Sequence, residues 1–353
     1  MRRGRHLHPH NFAKDGIMRA YELRGEGLDQ LVVTERPVTR PGAGEVLVRM
    51  RATSLNYRDL LIARGQYRLG KLTLPLVPLS DGAGEVIAVG AGVSHLAPGD
   101  RVVSSFFRDW LDGPPDPAKQ AASLGGGVDG VLAENVILSA AAAVKFPDTL
   151  SFEEAATLPC AGVTVWVALV VLGGVKAGET VLAMGTGGVS IFALQMAKQA
   201  GARVILTSSD DGKLARGREL GADETINYVE TPDWDARARE LTGGRGVDHI
   251  LEVCGAKTAP QSLRALRDGG HLALVGVLSG APADRDAAAR NERGIRVDGI
   301  YVGSVRHLES LCQSVGERGL RPVVDRVFPF DEVKQAYEYL SSSRHFGKIV
   351  IRL

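Results

Sequence analysis

The apolar positions divide this chain into two unlike halves and a short tail. From Met18 to about residue 145 they fall in short alternating or continuous runs. Met18–Leu23, Leu31–Glu35, Glu45–Ser54 and Gly82–Val89 read as strands. Pro41-Gly42, Gly90-Ala91-Gly92 and Pro98-Gly99-Asp100 punctuate them as turns. One short helix is predicted at Tyr57–Arg64, with Leu60 and Leu61 turned inward. Asp112 to Gly130, dense in proline and glycine, reads as a loop. This half is a β-rich unit.

Near Ser151 the rhythm changes. Ser151 followed by Glu154 is the signature of a capped helix start, and a second helix fits Gly162–Leu172. Strands and helices then alternate. Strands fit Val181–Met184, Arg203–Thr207, Glu224–Asn227, Asp248–Val253 and His271–Val277, with another at 297–300. Helices fit Ile191–Lys198, Gly212–Leu220, Asp233–Leu241, Ala259–Arg267 and Val305–Gly316. Such alternation predicts a parallel sheet covered on both faces. The tail changes again, with strands at Val323–Phe328 and Lys348–Arg352 around a helix at Phe330–Leu340, which Asp331 is placed to cap. Rejoining the first unit is one of several places for this tail.

Composition narrows the picture. At 353 residues the chain is long enough for two domains with substantial cores. A formal charge of +1 gives no global reason to expect nucleic acid as a partner, and no basic stripe with interleaved aromatics appears. The three cysteines, Cys160, Cys254 and Cys312, are odd in number and far apart. They form neither a disulfide framework nor a C-x-x-C pair, which fits the reducing cytoplasm. The most apolar segment, Val163 to Val175, is shorter than the ~20 residues needed to span a membrane. Residues 1–17 are basic and lack an apolar stretch behind the arginines. They read as a disordered leader rather than a signal peptide, and the tract His6-Leu7-His8-Pro9-His10 within them could touch a metal.

The candidate chemistry begins where the strand Val181–Met184 runs into Gly185-Thr186-Gly187-Gly188-Val189-Ser190 and a helix. Strand, glycine turn, helix and second strand make the start of a Rossmann βαβ unit, which calls for a nicotinamide dinucleotide. Gly185 makes the tight turn. Gly187 admits a pyrophosphate, whose charge the helix N-terminus favours. The third fingerprint position is Ser190, small but not glycine. The second strand ends Leu206-Thr207-Ser208-Ser209, without the acid that would accept hydrogen bonds from a ribose. Ser208, Ser209 and Lys213 suit the 2′-phosphate of NADP, although Asp210 and Asp211 oppose it. The competing reading keeps NAD, with a serine capping the next helix and Lys213 in solvent.

At this point the chain resembles the medium-chain dehydrogenase/reductase superfamily, and within it the zinc-free quinone oxidoreductase and alcohol-dehydrogenase-like branch. The resemblance runs from Met18 to Leu353. Asn56-Tyr57-Arg58-Asp59-Leu60-Leu61, Gly82-Ala83-Gly84-Glu85-Val86 and Pro98-Gly99-Asp100-Arg101-Val102 carry it. So do Ala155–Thr164 and Phe346-Gly347-Lys348-Ile349-Val350. It implies an α/β fold in which a GroES-like β-rich domain, residues 18–145 with 320–353, flanks a doubly wound Rossmann domain, residues 146–319. The active site would lie in the cleft between them. Homodimers or homotetramers are the usual assemblies.

The zinc question follows residue by residue. Zinc-dependent relatives place a cysteine at Asn56, a histidine at Ser80, a glutamate at Asp81 and a cysteine at Cys160. Asparagine and serine are poor zinc ligands, and a site needs three or more good donors. The structural zinc lobe of those relatives would fall between about residues 101 and 130, which contain no cysteine. No zinc is expected in either place.

The resemblance also implies site residues. Asn56 would lie by the nicotinamide ribose or the substrate, or else merely cap the helix after it. Tyr67 matches a pocket tyrosine of quinone reductases, where a second one is replaced by Leu61. Tyr57 is a possible proton donor or an ordinary packed aromatic. Asp59 reads as structural, buried near Arg58 or a backbone turn. Thr164 would contact the nicotinamide side or satisfy its own backbone. Gly255, Gly276 and Val277 follow strands at whose carboxyl ends a ligand lies, and Tyr228 follows the strand Glu224–Asn227. Lys348 would approach the phosphates or sit solvated on an edge strand.

Without a metal to stabilise an alkoxide, reduction of a quinone or an α,β-unsaturated carbonyl is the expected activity. A zinc-independent alcohol or aldehyde dehydrogenase and a catalytically silent nucleotide binder are the alternatives. The loops Asp109–Gly127 and Leu278–Gly294 would shape the entrance for a small-molecule substrate.

Overall fold

The computed structural model describes residues 16–67, 72–276 and 291–353. The histidine tract and residues 1–15 therefore lie outside the described residues. Residues 16 and 17 do not belong with a leader. Ile17 opens the first strand, and Gly16 accepts a backbone hydrogen bond from Val38. β1 (Ile17–Leu23) and β2 (Leu31–Pro37) form an antiparallel hairpin with Leu23 opposite Leu31.

A second sheet has the order β14-β15-β3-β4-β5-β7, with β6 paired to β3. Its members are β3 (Glu45–Leu55), β4 (Asp81–Val89), β5 (Arg101–Ser104), β6 (Asn135–Ser139), β7 (Ala143–Lys145), β14 (Val324–Pro329) and β15 (Lys348–Arg352). The tail thus rejoins the first half. β15 runs antiparallel to β3, with Ile349 opposite Leu55 and Arg352 opposite Ala52. Its Ile-Val-Ile core is fully buried, as a strand packed on both faces requires.

The third sheet is wholly parallel. Its order is β10-β9-β8-β11-β12-β13, built from β8 (Thr180–Met184), β9 (Arg203–Ser208), β10 (Glu224–Asn227), β11 (Val247–Glu252), β12 (Leu266–Leu274) and β13 (Arg296–Gly299). The chain moves outward one way from β8 and the other way from β11. That reversal leaves a crevice beyond the carboxyl ends of the central strands. β12 starts at Leu266, five residues before the apolar pattern suggests, because Leu266 already pairs with Val247 and Gly269 takes a positive φ of 69°.

Local chemistry explains most helix boundaries. Ser151 and Glu154 form the expected reciprocal cap of Phe152–Ala155. The helical run 158–172 follows, and the helix Gly188–Gln199 packs behind the glycine turn. Two expectations need correction. Leu61 is only half-buried; at 100° per residue the inward stripe of Tyr57–Ala63 runs through Arg58, Asp59, Ile62 and Ala63, with Leu60 at its margin. Asp331 does not cap the tail helix Val333–Ser341; its carboxylate pairs with Arg19 at 3.0 Å.

The loop between Asp112 and Gly130 contains one turn of helix, Pro117–Ala121, capped by Asp116. Its triple glycine is a packing device. Gly125 takes a φ of 64° against the Leu79 backbone, and a Cβ on Gly126 would lie 2.2 Å from Arg58 Nη2. One apolar core is shared by the two halves, running from Phe106 and Leu158 to Val181 and Leu311. No helix among the described residues is long and apolar enough to cross a membrane.

Candidate active-site cleft

The glycine turn lies at the mouth of the crevice. Gly185 has a φ of 76°, which a side chain rarely adopts, and its N–H donates to Thr207 Oγ1 on the neighbouring strand. Thr186 O accepts from Gly347 N, so the turn is stitched to the residue before β15. Gly188 opens the helix, and a Cβ there would lie 2.6 Å from Lys348 Cδ. Val189 is half-buried beside it. Ser190 does more than stay small. It is buried, and its hydroxyl donates to Met184 O, tying the first helical turn to the end of β8.

Lys348 crosses from this turn to the other half of the molecule. It is buried, and Nζ donates to Leu55 O at 2.7 Å and Asn56 Oδ1 at 2.6 Å. Asp81 Oδ2 lies 3.7 Å away, fully buried. That carboxylate also accepts from Ser80 Oγ at 2.7 Å and from Cys160 N at 3.2 Å. Asn56 precedes the helix Tyr57–Ala63, and its N–H donates to Asp59 Oδ2 at 2.8 Å. Asp59 thereby closes the helix start, the structural part expected of it. Asn56 Nδ2, buried, has no hydrogen-bond partner among the described residues. Burial pushes the Cys160 thiol far above its ordinary range, with the Asp81 charge adding to the effect.

A second polar group adjoins Cys160. Arg58 is almost wholly buried, with its guanidinium 4.4 Å from the Phe106 ring centroid and 5.2 Å from that of Tyr67. Nη1 donates to Leu124 O, while Nε and Nη2 have no partner among the described residues. The hydroxyls of Tyr67 and Tyr301 are hydrogen-bonded to each other. Both tyrosines are part-exposed. Tyr57 is 42% exposed and takes no part in this network.

At the end of β9, Ser208 is buried and Ser209 exposed. Neither caps the next helix. Asp210 does, accepting from Lys213 N at 2.9 Å, while Ser208 Oγ accepts from Asp210 N. Lys213 is not simply solvated; Nζ donates to Ser343 O at 2.5 Å. Tyr228, 42% exposed, donates its N–H to Ser208 O. Thr164 is buried within the run 158–172. Gly255 has a φ of 93°, and Gly276 leaves no room for a Cβ, which would lie 1.8 Å from Val253 O. Val277 is outside the described residues, as is most of the entrance loop 278–294.

Sequence pattern misses several members of this site. Tyr301 carries no motif, Arg58 stands inside the Asn56–Leu61 motif without being marked there as a site residue, and the partners Tyr67 and Tyr301 are 234 positions apart. Glu252 is another. Its buried carboxylate accepts from Cys254 N, Gly255 N, Thr258 Oγ1 and Ser262 Oγ, and so shapes the loop after β11. An acid ending an apolar strand was the available signal.

The donor set does not fit zinc. Of the four positions, Asn56 and Ser80 are weak ligands. Asp81 accepts from Ser54 Oγ, Ser80 Oγ and Cys160 N and is faced by an ammonium, which leaves Cys160 as the one good donor of the four. No group of three or more metal-binding side chains forms among the described residues.

Residues 42–148 match the alcohol dehydrogenase GroES-like domain, and residues 188–315 match the zinc-binding dehydrogenase family. A zinc-type alcohol dehydrogenase-like protein of Schizosaccharomyces pombe is 45% identical over 336 residues, covering 93% of this chain and 96% of its own. An acryloyl-coenzyme A reductase of Metallosphaera sedula is 28% identical over 323 residues, covering 88% and 93%. Among solved structures, an alcohol dehydrogenase candidate from Sinorhizobium meliloti 1021 superposes with a TM-score of 0.89 at 43% identity, covering 96% of this chain and 99% of that one. An NAD-dependent alcohol dehydrogenase superposes at 0.85 with 36% identity, covering 95% and 100%.

Proposed function

The chain belongs to the medium-chain dehydrogenase/reductase superfamily of NAD(P)H-dependent oxidoreductases, and we propose that it reduces a quinone or an α,β-unsaturated carbonyl with NADPH and without a metal. One observation carries the reading. Where a metal would need anionic donors, the Asp81 carboxylate is compensated by the Lys348 ammonium at 3.7 Å. A Lewis acid for alkoxide formation has no donor set here, whereas an electron-poor carbon accepts hydride without one. The similarity to an acryloyl-coenzyme A reductase agrees with an activated alkene as acceptor.

In this reading the nucleotide is held by the backbone of Gly185, Thr186, Gly187, Gly188 and Val189. Ser208, Ser209 and Lys213 face its 2′-phosphate, with Tyr228 beside them. The loops at Gly255, Gly276 and Val277 hold a ribose or the carboxamide, and Thr164 and Asn56 border the nicotinamide. When bound, the reduced nicotinamide supplies the hydride. Lys348 fixes the side chain of Asn56, so that Nδ2 is left to support developing negative charge. The two units, residues 18–145 with 320–353 and residues 146–319, act as the walls of the cleft, in a homodimer or homotetramer.

A second reading is an NAD-dependent alcohol dehydrogenase. It is favoured by the 36% identical solved structure of that name and by the engagement of Lys213 with Ser343. Steady-state assays of chelator-treated protein, in both redox directions and with both nucleotides, separate the two. NADPH-driven enone or quinone reduction that survives chelation is the expected result. Alcohol oxidation that disappears with the metal, alongside no enone or quinone reduction, overturns the proposal.

A further inference from the structure

Arg58 is a costly side chain to bury in the cleft. A guanidinium is charged at all working pH values. This one is almost wholly buried and makes no ion pair among the described residues; the neighbouring buried Asp59 carboxyl, itself pushed up to about 6, answers its charge only in part. Two aromatic faces and one carbonyl supply the rest of its compensation. A buried cation so incompletely countered is expensive, and cation–π contacts with Phe106 and Tyr67 return only part of that.

The chain spends further structure on the same place. Gly126 is pressed against Arg58 Nη2, where any Cβ would collide. Val302, next to Tyr301, has a φ of 58°, a strained setting for a β-branched residue. Tyr301 is braced edge-on by Phe106 and Phe107, with ring centroids 5.8 and 5.1 Å away. Its hydroxyl meets that of Tyr67, next to Cys160; burial raises the Tyr301 pKa, and the Arg58 charge works against that rise. In a bonded pair of hydroxyls only one proton lies between the oxygens. The other remains available to an acceptor in the cleft.

We infer that the Tyr67–Tyr301 hydroxyl pair receives the carbonyl oxygen of the acceptor and gives it a proton, and that Arg58 is the positioning residue that polarises the pair. This rests on the reductase reading above and names the substrate class as a carbonyl-activated alkene. As hydride from the nucleotide reaches the β-carbon of an enone, the alkene electron pair moves toward the carbonyl oxygen. The tyrosine O–H breaks and the enol O–H forms. The tyrosinate regains a proton from water, and the enol becomes the saturated ketone by proton exchange with solvent. One hydride and one solvent proton are consumed for each nucleotide oxidised. The Arg58 cation stabilises the transient negative charge on the pair without moving.

The test uses the full-length protein with 2-cyclohexenone as substrate and p-nitrophenolate as a non-reacting oxyanion probe. Tyr301→Phe and Tyr67→Phe should each lower turnover at least about tenfold, and the double variant little more than either, because the hydroxyls act as a unit. NADPH affinity, read by fluorescence, should stay within about twofold. p-Nitrophenolate binding to the NADP-loaded protein should weaken about tenfold in each. Arg58→Met should lose turnover while keeping its melting temperature near about pH 5, where the Asp59 carboxyl, pushed up to about 6 by burial, is protonated and needs no cation beside it. Arg58→Lys should recover part of the turnover. Full turnover and unchanged probe binding in Tyr301→Phe would overturn the inference alone. Parallel loss of melting temperature and turnover in Arg58→Met would assign that arginine a structural role and overturn its part. If the wild type reduces no enone or quinone at all, the reductase reading falls and takes this inference with it.

Discussion

Lys348 Nζ donates to Asn56 Oδ1 at 2.6 Å, joining the first residue of the last strand to the residue before the first helix, 292 positions earlier. The same ammonium balances Asp81, which has no exposure to solvent. The lysine stem passes Gly188 at the start of the helix behind the glycine turn. One side chain therefore holds the tail strand, the β-rich half and the glycine turn in register.

Lys348→Met should leave the Asp81 carboxylate buried without its cation. Breaking a buried pair from one side costs about 3 kcal/mol or more. Lys348→Met combined with Asp81→Asn should recover most of that, because no uncompensated charge remains. Urea unfolding of the two variants checks this. An additive double variant would show that the two groups do not interact.

Lys213 should decide nucleotide preference. Its ammonium donates to Ser343 O, and burial lowers its pKa. A 2′-phosphate offers a stronger, charge-assisted partner. NADPH should bind several-fold more tightly than NADH. Lys213→Ala should weaken NADPH by about tenfold, roughly 1.4 kcal/mol, and leave NADH nearly unchanged. Fluorescence titrations giving equal wild-type affinities would favour the NAD reading.

The parts of this fold set by local chemistry were readable along the chain. β10 and β15 have the predicted limits, and the Ser151–Glu154 cap forms as the spacing requires. What could not be read were relationships across the fold. Leu61 follows a helix stripe that only the neighbouring packing defines. Asp331 turns from its own helix to Arg19, 312 positions away. The candidate site divides along the same line. The glycine turn was legible because its backbone demands glycine locally. Lys348 left a choice between phosphates and an exposed edge, and its actual partners are Asn56, Leu55 and Asp81. Tyr301 had no local signal, and Arg58, although inside the Asn56–Leu61 motif, was not marked as a site residue, since their significance lies in being buried together.

Stability should fall on mild acidification. Burial holds His271 below the usual imidazole range, helped by Arg296 and His249, and burial does the same to His307. Burial, with Lys213 nearby, puts His345 at about 4. Unfolded imidazoles titrate near about 6.5. The stability tied to these three neutral rings is full above that value and is lost as pH falls toward their folded values. Asp59, pushed up to about 6 by burial, works in the opposite direction, because its carboxyl is easier to bury once protonated. Three imidazoles outweigh one carboxyl. The urea midpoint should therefore be lower near about pH 5 than near about pH 7, and His271→Asn should reduce the difference. A midpoint that rises on acidification would place Asp59 in control.

Asn56 offers a separation of holding from chemistry. Its Oδ1 faces Lys348 and its Nδ2 is buried without a partner. Asn56→Asp keeps an oxygen for the ammonium and deletes the free N–H donor. Asn56→Ala deletes both. If the amide N–H supports charge on the reacting oxygen, both variants should lose turnover by about a hundredfold. Only Asn56→Ala should also lose stability, by about 1–3 kcal/mol, because Lys348 then misses one acceptor. NADPH affinity should change little in Asn56→Asp, since its loss is confined to the transition state. Melting temperature, nucleotide affinity and kcat measured on both variants distinguish the parts. An Asn56→Asp protein with wild-type turnover would reduce Asn56 to an anchor for Lys348, and the oxyanion would then depend on the tyrosine pair alone.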